Sequence, residues 1–129
     1  DEGRGEADDL RSLITQLAPA GSALAMAGFS FGSFVASQVL QEAAQSHDLQ
    51  KIVMVGTAAS RFAVSTIPPE LHEKLLVVHG EQDDTVPLQS VMDWARPQVI
   101  PVTVVPGGGH FFHGQLPLLR GLVARHLLS

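Results

Sequence analysis

Three side chains of this sequence could together carry out nucleophilic chemistry: Ser30, Asp83 and His110. A serine hydroxyl becomes an effective nucleophile when an imidazole accepts its proton, and a carboxylate can hold that imidazole in the required tautomer. Each of the three residues follows a short apolar run and has glycine nearby. Their types and their order along the chain therefore suggest a serine, histidine and aspartate triad.

Ser30 is the centre of the sequence Gly28-Phe29-Ser30-Phe31-Gly32, directly after an apolar run. A nucleophile between a strand and a helix needs a strained backbone and close neighbours, and both requirements favour flanking glycines. Such a turn points the hydroxyl outward. It also puts the Phe31 N–H at a helix N-terminus, where it could donate to an oxyanion.

The acid and the base each have a rival. Asp83 and Asp84 both follow the third apolar run, and either could accept a hydrogen bond from an imidazole, although Asp84 could instead cap the turn or the helix near Pro87. His110 follows a glycine run that would let its ring reach the serine, whereas His113 is expected to line or cap the closing helix.

His79, in the same segment as Asp83, is expected to be packed at a strand end with its hydrogen bonds satisfied. A metal site built from His79, Asp83, Asp84 and His110 is conceivable, but tight ligand spacing is absent. No metal and no cofactor is therefore expected. Phe29 and Phe111 are expected to line a substrate pocket together with Phe31 and Phe112, with core packing as the alternative for each ring.

The elements that must position these residues are short apolar strands alternating with helices. The patterns predict helices over 8–18, 31–45, 88–95 and 116–127, with Asp8 or Asp9 at the first start. They predict strands at 22–29, 51–58, 73–80 and 100–107, and a connection over 57–74 with at most short helical pieces. This order indicates an α/β fold with a parallel sheet of about four strands and helices on both faces, where reactive groups gather at the strands' carboxyl ends.

Composition excludes several classes of function. The chain has 129 residues, a net charge of −5 and scattered basic residues, which argues against a nucleic-acid partner. No run is apolar enough to cross a membrane, no signal-peptide pattern is present, and no cysteine is available as a nucleophile. The expected location is the cytoplasm.

Three local patterns resemble the α/β-hydrolase superfamily: GFSFG, HGEQDDTVP and PGGGH, in that order and each after a predicted strand. Together with GGGHFFHG they look most like small, lidless bacterial hydrolases related to dienelactone hydrolases and carboxylesterases. The resemblance implies Ser30 as nucleophile, His110 as base, and Asp83, three residues after the glycine of His-Gly, as acid. It also implies cleavage of a small-molecule ester through an acyl-enzyme.

In that family, strands precede the nucleophile strand and a loop after one of them supplies a second oxyanion donor. The resemblance therefore suggests that residues 1–129 are the C-terminal part of a single α/β-hydrolase domain, with weak or no activity alone. It also suggests an unpaired sheet edge through which copies could associate. Thioester or lactone hydrolysis, acyl transfer and peptide cleavage remain alternatives on the same site, as does a non-catalytic binding module.

Overall fold

The computed structural model describes residues 3–129, and its elements follow the predicted order. The strands are β1 Ala23–Phe29, β2 Asp48–Val55, β3 Leu75–Gly80 and β4 Thr103–Val105. The helices are α1 Arg4–Leu17, α2 Phe31–Ser46, α3 Leu88–Ala95 and α4 Leu116–Leu128. Two short 3-10 turns, Pro69–Lys74 and Arg96–Gln98, complete the regular structure of this part of the chain.

The strands form one parallel sheet in chain order, β1-β2-β3-β4. Because every pair is parallel, the carboxyl ends of all the strands lie along the same edge of the sheet. Ser30 follows β1, Asp83 follows β3 and His110 follows β4, so the topology brings three distant segments to one edge. The predicted α/β fold with a four-stranded parallel sheet is confirmed.

Helices cover the sheet on both faces because the strand side chains alternate in direction. In β2, Ile52 and Met54 belong to a core with α1, α2 and α3, whereas Val53 and Val55 belong to a second core with α4. The second core is the smaller one. Its buried members are Val53, Val55, Val78, Val105 and Phe112, and the α4 side chains Leu119, Leu122 and Val123 pack against them.

β1 is an edge strand in residues 3–129, since it pairs with β2 alone there. Its side chains Ala23, Ala25 and Ala27 are exposed, so the sheet face opposite Met26 is uncovered at this strand. Association of copies through this edge stays a prediction. Across the described part of the chain, none of the helices combines the length and the apolar character needed to traverse a lipid bilayer.

Several predicted boundaries were wrong, and the strand predicted at 51–58 is β2, which spans Asp48–Val55. α1 begins at Arg4, so Asp8 and Asp9 lie inside the helix and not at its start. The helix begins where Gly3 adopts φ 82° and its carbonyl accepts from the Ala7 N–H at 2.8 Å. Ala7 is buried against the first core, and this tertiary contact extends the helix beyond the apolar repeat in the sequence.

The fourth strand is confined to Thr103–Val105, although the apolar run predicted 100–107. Pro101 and Pro106 bracket this segment and cannot donate to a strand ladder. β4 also has a single strand neighbour, β3, in the described chain. The short strand leaves the following glycine run free to turn back over the end of the sheet.

Candidate active site

Ser30 lies on a tight turn between β1 and α2. Its backbone has φ 54° and ψ −118°, a conformation that residues with a Cβ atom rarely adopt. The Ser30 N–H donates to the Val55 carbonyl at 2.8 Å, and the Ser30 carbonyl accepts from the Ser33 N–H at 3.0 Å. These bonds tie the turn to β2 and to the first turn of α2, so neighbouring structure holds the unfavourable torsion angles in place.

The two glycines around Ser30 differ in what they allow. A Cβ atom on Gly28 would lie 2.6 Å from the Gly32 carbonyl carbon and 2.7 Å from the Ser33 nitrogen, so only glycine fits at that position. A Cβ atom on Gly32 would meet nothing within 4 Å. The close approach that the sequence pattern predicts therefore exists at Gly28, while steric contact gives no reason for glycine at position 32.

Phe31 is the first residue of α2, and the first N–H groups of a helix have no partner within it. Its N–H therefore lies at the N-terminus of α2, immediately after Ser30 in the chain, and its role as an oxyanion donor stays a prediction. The Phe31 ring does not face the same way. It packs with Phe34 and Phe62 at ring-centroid distances of 5.9 and 5.0 Å, as part of the first core.

Asp83 is the carboxylate that meets His110. Its Oδ2 atom lies 2.6 Å from His110 Nδ1, and its Oδ1 atom accepts from the Thr85 and Val86 N–H groups at 2.9 and 2.7 Å. Asp83 is buried, whereas Asp84 is exposed. Capping of the turn is done by Asp83, and α3 begins without a side-chain cap, so the capping role considered for Asp84 at that helix is absent.

His110 bridges the other two residues. Its Nε2 atom lies 3.0 Å from Ser30 Oγ, while Nδ1 contacts Asp83. If Nδ1 carries the proton that binds the carboxylate, Nε2 is free to accept the serine proton, which is the arrangement that general-base chemistry requires. His113 is exposed and lies ahead of Gln115, the residue that precedes α4, so the expected cap of the closing helix by His113 is wrong.

Glycines in the neighbouring loops make this approach possible. Gly56, which follows β2, has φ 58°, and a Cβ atom there would lie 3.1 Å from His110 Cε1. A Cβ atom on Gly80 would collide with the Gly108 carbonyl. The end of β3 and the loop after β4 thus touch backbone to backbone, which brings Asp83 within reach of His110. Gly56 follows an apolar run in the sequence, but its role becomes apparent only from its contact with the His110 ring.

Aromatic rings surround the His110 imidazole. Phe29 and Phe111 each have a ring centroid 5.0 Å from that of His110, and they lie 5.9 Å from each other. Both are exposed, at 42% and 59%. Phe112, by contrast, is 1% exposed and belongs to the second core, so the four phenylalanines divide into two that face solvent beside the site and two that pack inside.

His79 is fully buried at the end of β3. Its Nε2 atom lies 2.7 Å from the Val86 carbonyl oxygen and 3.4 Å from Asp83 Oδ2, whereas its Nδ1 atom has no hydrogen-bond partner among residues 3–129. The expectation that its hydrogen bonds would be satisfied is therefore wrong for Nδ1. Among residues 3–129, no group of three or more histidine, aspartate or glutamate side chains is arranged to hold a metal ion.

Solved structures with the same fold exist. An α/β serine hydrolase without a lid from Xanthomonas campestris is 32% identical with a TM-score of 0.76, covering 98% of this chain and 57% of its own. An α/β serine hydrolase homologue from Coxiella burnetii is 30% identical with a TM-score of 0.73, covering 98% and 61%. A protein of unknown function from Agrobacterium tumefaciens, 22% identical, shares the fold with a TM-score of 0.78 over 98% and 61%.

This chain therefore spans about three fifths of the length of these relatives. No protein-family model matches the sequence. No curated protein matches it either.

Proposed function

Since this chain belongs to the α/β-hydrolase superfamily, we propose that it carries the triad of a serine hydrolase that cleaves carboxylic esters of small molecules. The observation that carries the proposal is the position of His110, within 3.0 Å of Ser30 Oγ and 2.6 Å of Asp83 Oδ2. Both distances lie in the range of hydrogen bonds, and the imidazole is nearly enclosed. A serine in a plain turn would require neither contact.

The proposed reaction has two steps. In the first, Ser30 Oγ bonds to the ester carbonyl carbon while its proton passes to His110 Nε2, and His110 then protonates the departing alkoxide as the carbon–oxygen bond breaks. In the second, water gives a proton to His110 and attacks the acyl carbon, and the serine oxygen leaves with that proton. Asp83 orients the imidazole and stabilises its charged form in both steps.

The negative charge on the carbonyl oxygen needs donors that are already in place. The Phe31 N–H lies at the helix N-terminus next to Ser30, where the helix dipole adds to the attraction. Enzymes of this fold use a second donor from another loop. Because the loss of one donor costs roughly 10²–10³ in rate, residues 1–129 alone are expected to react at Ser30 but to turn over slowly.

A fluorophosphonate probe tests the nucleophile without requiring turnover. We expect the folded chain to be labelled and Ser30→Ala to remain unlabelled, because Ser30 Oγ displaces fluoride from phosphorus. Asp83→Asn should slow labelling strongly, while Asp84→Asn, one residue away and exposed, is the matched control and should react like wild type. A folded chain that stays unlabelled would overturn the catalytic proposal and favour a binding module.

A panel of nitrophenyl esters with increasing acyl length addresses the substrate. We propose that Phe29 and Phe111 hold the apolar part of the ester, because both rings are exposed beside His110. Phe111→Ala is then expected to raise KM for long-chain esters by about tenfold, equivalent to 1.4 kcal/mol of lost apolar contact. Leu118→Ala removes a similarly exposed apolar side chain from α4 and should leave KM unchanged. Equal effects in the two variants would contradict the assignment.

A further inference from the structure

The His79 imidazole contacts the loop that carries Asp83 from beneath. The side chain is 0% exposed, and Nε2 lies 2.7 Å from the Val86 carbonyl oxygen. A carbonyl oxygen can only accept, so Nε2 must carry a proton and donate it. The same N–H lies 3.4 Å from Asp83 Oδ2, close enough to direct part of its positive end toward the carboxylate.

Both backbone polar groups of Val86 form hydrogen bonds to side chains. Its carbonyl accepts from His79, and its N–H donates to Asp83 Oδ1 at 2.7 Å. Because Oδ1 also accepts from the Thr85 N–H at 2.9 Å, its position is fixed by two donors of the loop. The other oxygen, Oδ2, is then turned toward His110. A change in the His79 bond would be transmitted through Val86 to the direction of this carboxylate.

The burial of His79 gives its one hydrogen-bonded nitrogen particular weight. Burying an imidazole costs free energy unless its polar atoms are hydrogen-bonded, and the neighbouring β3 residues Val77 and Val78 are apolar and fully packed. The Nε2–H of His79, bonded to the Val86 carbonyl, is the polar contact that distinguishes this position from its apolar neighbours.

We propose that His79 is a positioning residue for the triad acid: its Nε2–H fixes Val86 and so orients the Asp83 carboxylate toward His110. The effect on rate rests on the proposed function, whereas the effect on the Asp83–His110 hydrogen bond does not. The hydrogen bond of His79 is to Val86, whereas Ser30 is bonded to His110.

The test compares His79→Gln with His79→Asn in the full chain. The amide nitrogen of glutamine takes the place of Nε2 and can donate to Val86, whereas that of asparagine reaches the place of Nδ1. The first measurement is the proton NMR resonance of His110 Nδ1–H, assigned with ¹⁵N-histidine, which reports the bond to Asp83. In His79→Asn we expect the chemical shift of this proton to move toward the value for a weaker hydrogen bond. In His79→Gln we expect it to return to the wild-type value.

The second measurement is the fluorophosphonate labelling rate, expected to fall about ten- to a hundredfold in His79→Asn, as a small misplacement of a catalytic group does, and to recover in His79→Gln. His72→Asn is the matched control. His72 Nε2 also donates to a backbone carbonyl, that of Ile67, with a donor–acceptor distance of 2.8 Å, but this bond is not part of the site. The control variant should change neither measurement. A His110 resonance that stays at its wild-type position in folded His79→Asn would overturn the proposal, even in a chain that fluorophosphonate does not label.

Discussion

The torsion angles of Ser30 predict that the chain gives up stability to hold its hydroxyl outward. At φ 54° and ψ −118°, Ser30 occupies the mirror image of the ordinary extended region. Glycine adopts that mirror region as readily as the normal one, whereas a Cβ atom makes it costly. Replacing Ser30 by glycine should therefore relieve strain, and replacing it by alanine should not.

The comparison of Ser30→Gly with Ser30→Ala isolates this strain. Both variants lose the 3.0 Å contact with His110 Nε2, so that loss cancels in the difference. A residue held in a sparsely populated region costs about 1–3 kcal/mol. Glycine in turn loses about 0.4–1 kcal/mol through the greater freedom of its unfolded chain. We expect Ser30→Gly to be more stable than Ser30→Ala by about 0.5–2 kcal/mol, the difference between those two effects.

Urea denaturation measures the difference, from midpoints at an unchanged slope. Ser60 provides the control pair, because it is exposed and does not have a positive φ. There, alanine should be more stable than glycine by about 0.4–1 kcal/mol. If Ser30→Gly is less stable than Ser30→Ala by the same margin as at Ser60, the backbone at Ser30 is not strained and the reasoning fails.

Two further pairs of variants test the glycines of the site. Gly28→Ala should destabilise the chain by about 1–3 kcal/mol, because the added methyl group meets the backbone at the start of α2. Gly32→Ala should be neutral or stabilising by up to about 1 kcal/mol. Urea midpoints measure both changes, and equal losses of stability would contradict a close approach at Gly28 alone. Gly56→Ala should displace the His110 ring and slow fluorophosphonate labelling about ten- to a hundredfold. Gly107→Ala carries the same positive-φ penalty, at φ 69° against 58°, but meets no atom within 4 Å, so similar labelling rates in these two variants would count against a role of Gly56 beneath the ring.

The sequence was most informative where short patterns coincide with strand ends. The apolar runs predicted the strand order, and the polar residues after them predicted which side chains would share one edge of the sheet. The choice between Asp83 and Asp84 could not be made from the chemistry of the residues themselves, because both are carboxylates in one loop. In the structure, the backbone N–H groups of Thr85 and Val86 hold one of them inward and leave the other in solvent.

Contacts between distant segments account for what the sequence missed. The start of α1 depends on the burial of Ala7 in the first core. Gly56 matters because the ring of His110, far away in the sequence, packs against it. The sequence likewise could not divide the phenylalanines, because adjacent Phe111 and Phe112 have the same local pattern. One faces solvent and the other is buried because Phe112 adopts φ 55°, which turns the chain between them.

Phe112 connects the active-site loop after β4 to the second core. It lies two residues after His110 and is buried among the side chains of the second core, where Leu119, Leu122 and Val123 of α4 pack. The packing of α4 against the second core therefore helps to determine the position of the His110 ring at the end of the sheet. In an engineered chimera, residues 106–128 should be exchanged together. A helix from another protein in the place of α4 would shift Phe112, and with it His110, without changing any residue of the site.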